Sequence, residues 1–168
     1  MKTTLTALLL LVFSITLTGQ EFEKGTIITT HYDTISNVQI KKISEAKSFL
    51  HIAYIDIDGI EQEPDIETIK CYTRGEEQFC RIYNSGEMVL AKQVTIGEKL
   101  NLYERVYNGN KIYYVEKVYD ELIKVPSSSN KFKKVIGDFL NESPQLSEKI
   151  KSKELIDIKE IVNLYNEG

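Results

Sequence analysis

Residues equipped for chemistry are few and poorly grouped in this chain. His31 and His51 are its two histidines and Cys71 and Cys80 its two cysteines. Six carboxylates, Asp56, Asp58, Glu61, Glu63, Asp65 and Glu67, crowd the stretch between His51 and Ile69 with no Lys or Arg among them. The Asp56-Ile57-Asp58-Gly59 segment invites a calcium-loop reading. Placing Gly59 at the sixth position of such a loop puts Tyr54 first, where a carboxylate is needed, and Asp65 twelfth, where a bidentate Glu is expected. The pattern fits a solvated acidic turn better, and nothing in its spacing sets two carboxylates across a sugar. A cysteine nucleophile needs a base beside it, and neither histidine carries a cue tying it to a cysteine. Two lone cysteines do not make a zinc site. Glycine-rich phosphate loops, His-Glu-x-x-His, Gly-x-Ser-x-Gly and Cys-x-x-Cys are absent from the sequence. The expectation is a protein without a catalytic site, metal or cofactor.

The cysteines have a better use. They flank an Arg-Gly-Glu-Glu turn inside two β-type runs, Thr68 to Thr73 and Gln78 to Ile82. With Gly75-Glu76 as the loop, Arg74 meets Glu77, Thr73 meets Gln78, Tyr72 meets Phe79 and Cys71 meets Cys80. Pair types alternate along an antiparallel ladder, so the cysteines fall in a non-hydrogen-bonded pair, whose close Cα atoms suit a disulfide.

A second hairpin is marked more strongly. Asn108-Gly109 supplies the two positive-φ residues of a type I′ turn between Leu100–Tyr107 and Asn110–Val115. Alternation from that turn gives one face Leu100, Leu102, Val106, Tyr113 and Val115, which reads as core. The other face receives Tyr103, Arg105, Tyr107, Ile112 and Tyr114. Tyrosines around an arginine are the usual composition of a binding surface, and equally that of a sheet face with a helix laid over it. Under a helix, Arg105 needs a carboxylate, and Glu116 on the same face is the nearest. Tyr103, Arg105, Tyr107 and Tyr114 are therefore the candidate binding face.

These hairpins need a scaffold, and the rest of the sequence supplies one. From residue 25 to 125 the pattern is strand after strand: Thr26–Thr30 and Thr34–Ile40 about a His31-Tyr32-Asp33 turn, then Phe49–Ile55, the cysteine hairpin, Met88–Ile96 and the Asn-Gly hairpin. After Pro126-Ser127-Ser128-Ser129-Asn130 the period changes. Phe132, Val135, Ile136, Phe139 and Leu140 make an amphipathic helical stripe. Ser143-Pro144 opens a second helix through Leu146 and Ile150. Asp157 and Glu160 form a capping box, with Ile156 and Ile161 spaced as a hydrophobic staple, before a last helix carrying Ile158, Ile161, Val162 and Tyr165. The fold expected is α+β: an antiparallel meander or roll of about eight strands, followed by two to three C-terminal amphipathic helices over residues 131–166.

The first 19 residues read as a signal peptide, with Lys2, an apolar run from Leu5 to Leu17 too short to span a bilayer, and small residues at Thr18-Gly19. Residues 20–168 then form a single exported domain, periplasmic or extracellular, in which a disulfide is permissible. Nothing later in the sequence is long and apolar enough for a span. A formal net charge of -4 argues against a nucleic-acid partner. At 42% hydrophobic and 27% charged residues the composition is that of a globular domain, which sets aside disorder, collagen and coiled coil.

Three stretches resemble an uncharacterised family of exported envelope domains of Bacteroidota: Tyr32-Asp33-Thr34-Ile35, the segment Val94-Thr95-Ile96-Gly97-Glu98-Lys99-Leu100-Asn101-Leu102-Tyr103, and the closing run from Leu155 to Tyr165-Asn166. The corresponding stretches in that family look like a Gly-Asp-Thr turn, a "Val-x-Gly-x-Ile-x-Leu-Tyr" strand and a terminal "Tyr-Asn". Some members place the domain before an outer-membrane β-barrel. This chain has Glu142-Ser143-Pro144 where the family often has Asp-Cys-Pro. The resemblance implies an envelope location and no known activity. The function expected is a non-catalytic binding or interaction module engaging an envelope protein or a surface polymer. The alternative is a small-ligand binder or hydrolase with its site inside the β roll.

Overall fold

The structure, a computed structural model, describes residues 21–168. The signal-peptide reading of residues 1–19 lies outside the described residues. Among the described residues one antiparallel sheet contains every strand: β1 (Phe22–Thr29), β2 (Thr34–Lys41), β3 (Tyr54–Ile55), β4 (Glu61–Gln62), β5 (Ile69–Arg74), β6 (Glu77–Asn84), β7 (Glu87–Thr95), β8 (Leu100–Tyr107), β9 (Asn110–Lys117) and β10 (Leu122–Lys124). Their order is β10-β9-β8-β7-β6-β5-β1-β2-β3-β4. Three helices follow, α1 (Ser129–Phe139), α2 (Pro144–Ser152) and α3 (Ile158–Glu167). Strands first and helices last is the α+β arrangement expected, with ten strands in place of about eight. Among the described residues no helix is long and apolar enough to cross a membrane.

Both expected hairpin registers are present. Cys71 pairs with Cys80 and the two are disulfide-bonded, with Cα atoms 4.2 Å apart. Tyr103 pairs with Tyr114 and Arg105 with Ile112 about an Asn108-Gly109 turn in which both residues have positive φ. The segment Phe49–Ile55 differs from its reading as a strand. Lys47–Phe49 is a 3-10 turn, and strand pairing begins only at Tyr54. The apolar run is used as a cover: Phe49 and Ile52 are buried against Ile27, Val38, Ile40, Ile69, Tyr72, Phe79 and Leu90. Phe79 is the centre of that packing, stacked on Tyr72 with centroids 4.6 Å apart and met edge-on by Phe49 at 5.7 Å.

On the same face, two strands along, the helices take over. Leu100, Leu102 and Val115 pack against Ile136, Phe139 and Leu140 of α1, Leu146 and Ile150 of α2, and Ile158, Ile161 and Val162 of α3. Asp157 caps α3, its carboxylate accepting the amides of Lys159 and Glu160. Ile156 is left largely exposed, so the expected staple with Ile161 adds little.

Near its C-terminus α3 is tied to the sheet by one side chain. Asn166 Oδ1 accepts the backbone N–H of Leu100 at 2.8 Å and of Lys99 at 3.2 Å, while Nδ2 donates to the Leu100 carbonyl at 3.0 Å. The amide thereby plays the part of a neighbouring strand's peptide group. It lies so close to the β7–β8 turn that a Cβ on Gly97 would come within 2.1 Å of it. Two stretches of the resemblance quoted above thus meet in space.

Gly97→Ala is expected to destabilise the protein by about 1–3 kcal/mol through overpacking. Asn166→Ala should cost a similar amount by leaving the Leu100 amide and carbonyl unpaired. Because the first change clashes only with the side chain that the second removes, the double variant should lose less than the sum. Chemical denaturation of the four proteins measures the coupling, and strict additivity would disprove this contact.

Candidate functional site

The sheet curls between β6 and β10, bringing β10 back into contact with β6. That curl decides the fate of the candidate binding face. Tyr103 and Tyr114 are neither under the helices nor open to solvent. They lie inside the curl, 5% and 4% exposed, packed with Ile82, Val89 and Ala91 and flanked by Ile112 and Leu122. The helices cover the opposite face of β8 and β9. Tyr107, at the hairpin end, is 57% exposed. Arg105 is half-buried, with its guanidinium carbon 6.0 Å from the Tyr107 ring.

Hydrogen bonds inside the curl run along strands rather than converging on a point. The Tyr103 hydroxyl donates to Glu116 Oε2 at 2.7 Å, and Asn101 Nδ2 donates to the same oxygen at 3.1 Å. Glu116 is therefore engaged by Tyr103 and Asn101, not by Arg105 as its place on the face suggested. Burial pushes the Tyr103 phenol well above its ordinary range, and the carboxylate holding its proton adds to the effect. Burial also raises Tyr114, opposed by the nearby Arg105 charge. Both phenols stay neutral at any physiological pH. Among the described residues, two buried side-chain atoms lack a hydrogen-bond partner, Gln93 Oε1 and Arg105 Nε.

The acidic run behaves as a turn. Asp56 accepts the amides of Asp58 and Ile60 and the side-chain amide of Gln62, and the Ile60 amide above all holds its carboxyl below the usual range. His51 Nε2 lies 2.7 Å from Glu63, and His31 is exposed in the β1–β2 turn. Among the described residues no three His, Cys, Asp or Glu side chains come together as a cation site.

Two enclosed ion-pair clusters escaped the sequence reading, one around Glu104 and one around Glu77 and Arg74. Glu104 is 3% exposed on the helix-covered face, where Lys111 Nζ lies 2.9 Å from it. Burial alone would raise its carboxyl, but hydrogen bonds from Lys111 and Tyr113 outweigh that and hold it below the usual range. Glu77 is lowered in the same manner by Lys92 and Arg74. Arg74 is itself buried, bonded to Glu77 at 2.7 Å and to Ser48 Oγ at 3.0 Å. Alternation shows these residues sharing a face but not that a loop or a hairpin partner closes over them.

Exposed aromatics gather instead at the ends of strands. The β1–β2, β6–β7 and β8–β9 turns all lie at one end of the sheet, and they carry Tyr32, Tyr83 with its cross-strand partner Met88, and Tyr107. By alternation Tyr83 shares the Phe79 face and Tyr107 the Tyr103 face, so these rings fall on opposite sides of the sheet, and Tyr119, the most exposed tyrosine of the described residues, lies in the β9–β10 turn at the other end.

Tyr103→Ala and Tyr114→Ala should each cost about 3 kcal/mol or more, as aromatic truncations in cores do. Tyr107→Ala should change stability by less than about 1 kcal/mol. Equal melting temperatures for all three would contradict the curl. The depressed Glu77 and Glu104 carboxyls contribute stability above the unfolded value of about 4.3, lost as pH falls through their lower native values. Glu104→Gln is expected to flatten the acid limb of a stability–pH curve. Comparison of the chain with protein-family models, with curated proteins and with solved structures finds no match.

Proposed function

We propose that this chain is a non-catalytic binding or interaction module of the cell envelope, exported and locked by its disulfide, that engages an envelope protein or a surface polymer. The observation that carries this reading is the filled interior of the curled sheet. Tyr103, Tyr114, Ile82, Val89 and Ala91 occupy the place where a small ligand would sit. A ligand site wants a concave, mostly preformed pocket with convergent polar groups. Here Tyr103 and Asn101 are turned on Glu116. The unpartnered Gln93 Oε1 and Arg105 Nε favour the alternative of a small ligand within the roll.

Export is supported by the Cys71–Cys80 bond, since such bonds persist in oxidising compartments. The bridge closes a hairpin that the ladder already pairs, and its contribution is about 2–3 kcal/mol. The resemblance to envelope domains points the same way.

Fractionation of the producing cell is expected to place the chain outside the cytoplasm with its leader removed. Its intact mass should rise by two hydrogens on reduction. Cross-linking in the native envelope should attach it to a protein or a polymer, and His31→Gln with His51→Gln should leave that attachment unchanged. Two alkylatable thiols in freshly isolated protein would sink the export reading, and lost attachment in a folded double variant would revive an enzyme.

A further inference from the structure

We infer that residues 43–52 form a lid that opens as one unit, hinged at Lys42 and Ala53, while the sheet beneath it stays folded. This device goes beyond the interaction-module reading and stands or falls without it. Both hinges are held by backbone hydrogen bonds outside the lid. The Lys42 amide donates to the Glu21 carbonyl at 2.7 Å, and the Lys41 amide donates to the Ala53 carbonyl at 2.8 Å. The ten residues between the hinges leave the sheet and return to it at one place, which is the arrangement of an Ω-loop.

Inside the lid the backbone bonds to itself. The amides of Lys47 and Ser48 donate to the Ser44 carbonyl, and those of Leu50 and His51 to the Lys47 carbonyl. Among the described residues no backbone-to-backbone hydrogen bond runs from 43–52 to the rest of the molecule. Its attachments go through side chains instead. Phe49 and Ile52 reach down among Ile27, Ile40, Tyr72, Phe79 and Leu90. The Tyr72 hydroxyl donates to the Ser48 carbonyl at 2.8 Å, and Arg74 Nη1 donates to Ser48 Oγ at 3.0 Å. At the outer edge His51 Nε2 lies 2.7 Å from Glu63.

The elements around it are held differently. β1, β5 and β6 are each laddered to a neighbour on both sides, so displacing one breaks a row of backbone bonds. The helices over the other core are tied to the sheet backbone as well, through Asn166 on Lys99 and Leu100. Lifting the lid breaks no ladder, and its turn can move with its own bonds intact. A cavity of about 570 Å³ lies against the first hinge, lined by Lys42, Ile43, Arg74, Gly75 and Glu77 among others, and leaves the lid without support on that side.

Opening exchanges the burial of Phe49 and Ile52 for the conformational freedom of a ten-residue loop, two terms that oppose one another. The polar latches add little to the barrier. As the lid lifts, the Tyr72 hydroxyl and the Arg74 guanidinium meet water in place of Ser48, and Arg74 keeps its bond to Glu77 at 2.7 Å. Elements of this kind, with buried side chains but no backbone ties, belong to the low-stability end of a fold, from which lids are drawn. The surface uncovered is apolar, with Phe79 and Tyr72 at its centre and Arg74 at its rim. The closed form hides that surface and the open form presents it, so the lid gates the one apolar floor that no helix covers.

Single cysteines introduced into the disulfide-bonded protein test this. Ile52→Cys lies on the lid, Leu90→Cys on the floor and Leu140→Cys under the helices, all at positions buried in the closed form. The rate at which a thiol reagent labels each variant, relative to its unfolded chain, reports how often that position opens. Positions 52 and 90 are expected to label at the same relative rate, about a hundredfold or more faster than position 140. Their labelling should also depend less steeply on urea, because less surface is exposed when only the lid moves. Equal rates and equal urea slopes at all three positions would mean that the lid opens only with the whole fold, and would overturn the inference. Fast labelling at 52 with slow labelling at 90 would overturn it too, by showing a fraying turn over a floor that stays covered. Ile40→Cys, on the same floor, takes the place of Leu90→Cys if that variant does not fold.

Discussion

A single sheet that buries apolar side chains on both faces must change which face points inward partway along, and everything else in this molecule follows from where that happens. The change falls at β6. Phe79 points to one side, where Tyr72, Phe49 and Ile27 close over it. Ile82 points to the other, into the curl that holds Tyr103 and Tyr114. A one-residue slip of β6 against β5 would exchange these sets and expose both, at about 1.5–3 kcal/mol for each large side chain returned to water. The Cys71–Cys80 bond sits across that ladder. Its physical role is to pin the register at the strand that serves two cores, more than to close a loop.

The helices solve the problem that this change of face creates. Curling around Tyr103 and Tyr114 turns Leu100, Leu102 and Val115 outward, and no strand remains to cover them. Eleven-residue α1 and its shorter successors are marginal helices by themselves, so they exist because that surface needs burying. Asn166 completes the arrangement by giving Leu100 the hydrogen bonds of a missing strand. The open edges are blunted too: β3 and β4 have two residues each, and β2 is bent where Asn37 takes a positive φ beside a bulge.

Local rules carried the sequence reading as far as local rules reach. Asn108-Gly109 and Gly75-Glu76 each specify a register within a few residues of themselves, which is why the disulfide and the pairing of Tyr103 with Tyr114 were legible. What covers a face is a different kind of fact. Ile82 and Val89 lie 21 and 14 residues before Tyr103, and the curvature of the sheet brings them over it. Period-two alternation says which side chains share a face and is silent about whether the face is concave. The same blindness explains Phe49 and Ile52, whose apolar run fits a strand and a lid equally well. It also explains Glu104, which looks like a solvated residue until Lys111 and Tyr113 from the facing strand close on it.

Position along a strand therefore separates the tyrosines into two populations with different physics. Those at mid-strand, Tyr72, Tyr103 and Tyr114, are held by neighbours on several sides and serve the fold. Those at strand ends, Tyr32, Tyr83 and Tyr107, are exposed and add little to it, and alternation turns Tyr83 to the Phe79 face and Tyr107 to the Tyr103 face. The same ladder hydrogen bonds that define the two cores thus decide which tyrosines serve the fold and to which face the exposed ones are turned.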